Sequence, residues 1–138
     1  MLDGIDAVKD ATGSHLGYSE WLEITQDRVE RFVEATGGPL ANAADRTGVE
    51  PYLLLAMSNL FLPQIVEVRG VSLGVNYGCD LIRFPIPVPI GARIRAGAEL
   101  TAVTNIADGV QTTTTIRIEV AGAPDPGCVI ESVSRYLV

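Results

Sequence analysis

The sequence predicts an α+β architecture, a long central helix wrapped by an antiparallel sheet of five to six strands. Three observations carry that expectation. The run from Tyr52 to Phe61 is apolar almost all round, the pattern of a helix enclosed by protein. The half of the chain that follows reads in period two, as strands with one buried face do. Turn signals at Pro85 to Gly91, Asp108-Gly109 and Gly122 to Gly127 divide that half into successive antiparallel runs.

Taken in order, Val8 to His15 is weakly patterned and is expected as a short helix. Ser19 to Ile24 alternates, with Trp21 out of phase with Leu22 and Ile24, and is expected as a strand. Thr25 is placed to cap a helix whose first turn carries Asp27, the sign of charge that a helix dipole favours there. Val29, Phe32 and Val33 give that helix one apolar face, and Gly37-Gly38 ends it. Pro51 suits the first position of the apolar helix, and Pro63 is expected to disrupt or end it. Val66-Glu67-Val68 leads towards strand. Val71 to Tyr77, Ile94 to Leu100, Thr112 to Val120 and Cys128 to Val138 are the strands of the meander, with Asn76-Tyr77-Gly78-Cys79-Asp80 ending the first.

With 138 residues the chain is read as a single domain, 1–138, long enough to bury about two thirds of its unfolded surface. Apolar residues are 47% and charged residues 20%, which excludes disorder. A formal charge of −7 argues against nucleic acid and anionic membrane partners, since phosphate neutralisation needs a basic face. Lys9 is the only lysine among ten basic residues. Met1 to Gly13 lacks the apolar centre of a signal peptide, and Pro51 to Val66 is too short and mixed to span a bilayer. A soluble, cytoplasmic protein is expected. Cys79 and Cys128 make no disulfide framework, and one histidine with two cysteines gives no basis for a metal site; no cofactor is expected.

Gly70 to Gly78, Arg83-Phe84-Pro85, Pro87-Val88-Pro89, Gly91 to Arg95 and the closing Glu131 to Tyr136, with Ser19 to Leu22 before them, resemble the MaoC-like (R)-specific enoyl-CoA hydratases and dehydratases. The resemblance implies the hotdog fold, 1–138, and an acyl-thioester substrate. It implies a reaction in which an aspartate and a histidine activate water and move a proton, while N–H groups at the start of the buried helix hold the thioester oxygen. In that family the residue after Ala-Thr-Gly is an aspartate and a histidine follows five positions later. Here those positions are Gly38 and Ala43, which exchange no protons. The family's later Ala-His-Gly step is matched to Ala56-Met57-Ser58. The chain is thus similar to a divergent member lacking the dyad.

Asp45, the nearest carboxylate to Ala43, Tyr52 and Asn59 are the catalytic candidates; a phenol or an amide on an apolar helix must find a partner if buried. Asn42, Met57, Asn76, Tyr77 and Arg83 are the substrate-binding candidates, and Arg83, Arg93 and Arg95 a candidate basic patch for coenzyme A phosphates or a carrier-protein arm. Cys79 beside Asp80 is a poor thiolate. His15 lies in the weakly patterned N-terminal segment. The first functional expectation is binding of an acyl-thioester or polyketide-type substrate with altered chemistry, such as cyclisation, isomerisation or a dehydration-related step. In that reading, holding reacting atoms together replaces the acid/base pair. The alternative is a non-catalytic subunit that shapes the acyl tunnel of a partner, as a homodimer or a heterodimer with a hotdog sibling. A third is hydration through Asp45 or water alone.

Overall fold

A computed structural model describes residues 1–37 and 48–138. The chain opens with β1 (Leu2–Asp3) and α1 (Gly4–Asp10), followed by β2 (His15–Tyr18), β3 (Leu22–Glu23) and α2 (Gln26–Thr36). Then come α3 (Pro51–Ala56), α4 (Ser58–Ile65) and β4 (Val68–Arg69). The long strands β5 (Leu73–Arg83), β6 (Arg93–Ile106), β7 (Gly109–Val120) and β8 (Cys128–Leu137) complete it. The large antiparallel sheet runs β2-β6-β7-β8-β5, with β3 also on β6. The expected α+β arrangement, helix against a six-stranded sheet, is therefore present.

The cap of α2 forms as its residues dictate. Thr25 Oγ1 accepts from the Arg28 amide at 3.2 Å, and Gly37 closes the other end at φ 64°, a left-handed conformation that costs glycine little. Val29 and Val33 turn inward. Across the α3–α4 junction the bonding continues, Met57 N–H to Leu53 C=O at 2.9 Å and Phe61 N–H to Met57 C=O at 3.0 Å, so the two segments follow nearly one axis. Pro63 does not end the helix: α4 continues to Ile65, and the proline only withdraws the N–H that would bond the Asn59 carbonyl.

Leu53, Leu54, Met57 and Phe61 press onto the concave face of the sheet, against Ile94, Ala96 and Ala98 of β6, Ile116 and Ile118 of β7, and Cys128 and Ile130 of β8. Full burial of a side chain such as Phe61 stabilises the fold by about 1.5–3 kcal/mol. A smaller cluster of Val8, Leu100 and Val110 sits with Ile5, Ala11 and Tyr136 near α1.

Several sequence expectations change. The first helix starts at Gly4, and His15 belongs to β2, because Gly13 N–H bonds Leu100 C=O at 2.7 Å and draws the segment after α1 onto β6. The strand expected at Ser19 to Ile24 is interrupted at 19–21, where Ser19 Oγ accepts from the Ala96 amide at 2.9 Å. β1 pairs with β4 in parallel, a two-residue contact too short to leave a periodic signal. β5 does not end at Asp80 but runs through bulges at Asn76/Gly78 and Cys79/Leu81 to Arg83. It pairs with β8 at the far edge of the sheet and not with its sequence neighbour β6. The helix is not enclosed all round either: Tyr52 is 65% and Leu60 44% exposed.

Candidate functional site

Along β8 the side chains at even positions face the helices. Cys128 and Ile130 are core, and the same phase then delivers Ser132, Ser134 and Tyr136. These three, with Asn76 of β5 and Ser58 and Asn59 of α4, line a crevice of about 200 Å³ whose apolar wall includes Ile116 and Leu62. A water needs on the order of 10–15 Å³ of such space, so the crevice holds far more than one.

The six polar side chains make no hydrogen bond with any other described residue, and none has a polar atom sealed from solvent. Polar groups that lack protein partners find them in water or solute. The Tyr136 ring lies over Gly74, its register partner on β5. Burial pushes the Tyr136 phenol above its ordinary range, and it keeps its proton as a hydrogen-bond donor. The described lining contains no carboxylate, imidazole or ammonium. Chemically the crevice can donate to and accept from neutral oxygen atoms. It contributes no group that changes charge near neutral pH.

The convex face is furnished differently. The Arg95 guanidinium lies 3.9 Å from the Tyr18 ring centroid and 4.7 Å from that of Trp21, and its Nε bonds Glu119 at 2.8 Å. His15, the only histidine of the chain, stands beside them, its ring 4.7 Å from Tyr18 and its Nδ1 accepting from the Gly17 amide at 3.1 Å. Gly97 makes room for this cluster: a Cβ there would come within 2.9 Å of the Tyr18 ring. At the other end of the same face the Arg135 guanidinium covers Tyr77 at 3.6 Å.

Of the sequence candidates among the described residues, the structure brings Asn59 and Asn76 together in the crevice and places the others elsewhere. Tyr52 is at the exposed start of α3, edge-on to Phe84 with centroids 6.1 Å apart. Met57 is core, with Sδ 3.8 Å from Arg28 Nη1. Tyr77 lies on the convex side under Arg135, and Arg83 is exposed at the end of β5. Arg93 and Arg95 on β6 are separated from Arg83 by β7 and β8, so the three form no single patch. Asn42 and Asp45, with Gly38 and Ala43, lie outside the described residues. Cys79 is exposed; its thiol is pushed up by desolvation first and by Asp80 second.

Sequence reasoning passed over Ser132, Ser134 and Tyr136. The signal for them was available: they continue the phase of Cys128 and Ile130 on the helix-facing side. It also passed over Glu50, the N-cap residue of α3. Ala56-Met57-Ser58, matched to a step near the helix start, instead straddles the α3–α4 junction.

No family model matches the chain. The 3-hydroxyacyl-thioester dehydratase Z of Mycobacterium tuberculosis is 38% identical over 138 residues, covering 92% of this chain and 91% of that protein. The solved (R)-hydratase from A. caviae involved in PHA biosynthesis superposes with a TM-score of 0.68 at 22% identity, over 89% of this chain and 94% of that one. The ChsH1-ChsH2 complex from Mycobacterium tuberculosis superposes with a TM-score of 0.69 at 12% identity, over 92% of this chain and 98% of that one. The two structural likenesses show a shared fold.

Proposed function

The chain belongs to the MaoC-like (R)-specific hydratase and dehydratase family, with its hotdog fold, and on that premise we propose that it is an acyl-thioester-binding subunit that does not itself supply the acid/base couple. One observation carries this reading. The chain has one imidazole, that of His15, and it stands on the face of the sheet opposite the helices. No histidine of this chain can meet a carboxylate at the start of α3, so a water poised there has no imidazole base.

Two features support a paired assembly, homo- or heteromeric. Among the described residues β5 has a strand on one side only, with Leu73 53% and Tyr77 57% exposed, and the outward stripe of α3 and α4 is apolar at Tyr52 and Leu60. Apolar surface of this kind beside an unpaired strand edge is where another chain packs. The ChsH1-ChsH2 complex among the structural neighbours is an assembly on this fold. A sibling carrying the aspartate and histidine would then run the reaction while this chain shapes the acyl tunnel.

The altered-chemistry reading, in which a polyketide-type chain is cyclised or isomerised by positioning, draws its support from the uncharged, hydrogen-bonding crevice. Purified chain incubated with crotonyl-CoA separates these readings from true hydration. The expected loss of enoyl absorbance is at the uncatalysed level, rising only when a dyad-bearing sibling is added. Turnover by the chain alone that is far above that level would defeat the subunit reading.

A further inference from the structure

We infer that the crevice between α4 and the end of β8 is a specificity subsite for an oxygen-bearing acyl chain, one with hydroxyl or keto groups along its length, in preference to a plain hydrocarbon tail. The inference rests on the reading that the chain binds an acyl thioester, and it names the class of acyl group.

The argument is one of unmet hydrogen bonds. Helix-facing positions at the Cys128 end of β8 are apolar and tightly packed, as expected where a sheet meets a helix. Beyond Ile130 the same face turns hydroxylic at Ser132, Ser134 and Tyr136, and Asn76 enters from β5 at the register position opposite Ser134. Ser58 and Asn59 approach from the helix side. A saturated tail entering here would strip water from these groups and return no hydrogen bond, an unfavourable exchange. An acyl chain with oxygens at alternate carbons meets them instead. Ile116 and Leu62 supply apolar contact for the carbons between. The absence of charge from the described lining disfavours a carboxylate or phosphate as the occupant, since nothing there would compensate its desolvation.

The test uses the full chain, with its sibling if one is required for solubility, and two pantetheine thioesters: hexanoyl and its dihydroxylated analogue. Calorimetry is expected to show the hydroxylated thioester binding about fivefold tighter or more, the equivalent of one ordinary net hydrogen bond of about 1 kcal/mol. The double variant Ser132→Ala/Ser134→Ala should lose the preference while melting at the wild-type temperature, because these hydroxyls hold nothing in the fold. Tyr136→Phe is the second variant and should reduce the preference by itself. Equal affinity for the two thioesters, tighter binding of the hexanoyl form, or a preference that survives both variants overturns the subsite and leaves acyl-thioester binding standing. If neither thioester binds, the acyl-thioester reading falls and the subsite with it.

Discussion

On the convex face of the sheet Arg95 lies between Tyr18 and Trp21 and holds Glu119, with the His15 ring tilted against Tyr18. On the concave face the side chains of Ser132, Ser134 and Tyr136 make no hydrogen bond to a described residue. Both sets come from period-two positions of β-strands, and both are polar. What separates them is whether their partners are internal. The Arg95 cluster finds its main contacts within the chain, although His15 and Tyr18 also line an opening of about 190 Å³ on that face. A cluster facing an opening with its donors and acceptors unspent is arranged for a solute. Composition alone would favour the convex face as the active one, since it has the histidine, the arginine and the aromatics. Its geometry argues the reverse.

The largest effect that would sharpen this contrast lies at the sealed end of the concave face. Cys128 is held up to about 11 against an ordinary 9.0, mainly by burial and secondarily by Cys79. As pH rises the unfolded thiol ionises first while the folded one keeps its proton, so stability that is intact below pH 9 is lost progressively up to about 11. The loss is at most about 3 kcal/mol at 1.36 kcal/mol per unit. Urea melts across that range should show it, and Cys128→Ala should flatten the curve; an unchanged slope would mean that water reaches this end of β8 as well.

A middle-sized effect is expected on the convex face. Arg95→Met removes two ring contacts worth on the order of 0.5–1 kcal/mol each and a partly exposed ion pair worth about 0–1, and should lower stability by about 1–3 kcal/mol without altering thioester affinity. A change in affinity would join the two faces functionally and break the comparison. The smallest concerns the one imidazole. His15→Ala should shift stability by no more than about 0.5 kcal/mol, the usual range for a surface change, and leave binding and any turnover untouched. Loss of turnover in that variant would make His15 a working base after all.

The strands and the capped helix were legible because their signals are local: Thr25 and Gly37 bracket α2, and alternation marks β6, β7 and β8. The edge position of β5 was not, since its pairing with β8 joins residues far apart in the chain, from Leu73 with Leu137 to Arg83 with Val129. The same holds for His15, whose face depends on the register of β2 against β6. Tyr52 and Met57 looked like pocket residues on an enclosed helix. The described residues cover the helix on the side facing the sheet, which puts Met57 in the core, and Tyr52 lies in the open. Ser132, Ser134 and Tyr136 could be read from phase, but only by asking what the apolar alternation of Cys128 and Ile130 turns into, and not where it stops. Asn42 and Asp45 are candidates from sequence alone.

Pro63 bears on the helix that forms one wall of the crevice. By withholding an amide hydrogen it frees the carbonyl oxygen of Asn59 from its helical duty, and both residues lie at the crevice wall. That oxygen belongs to the main chain, so drift in the neighbouring side chains cannot delete it. Replacing the proline with any other residue would hand the oxygen back to the helix, making one ring the custodian of an acceptor it does not carry.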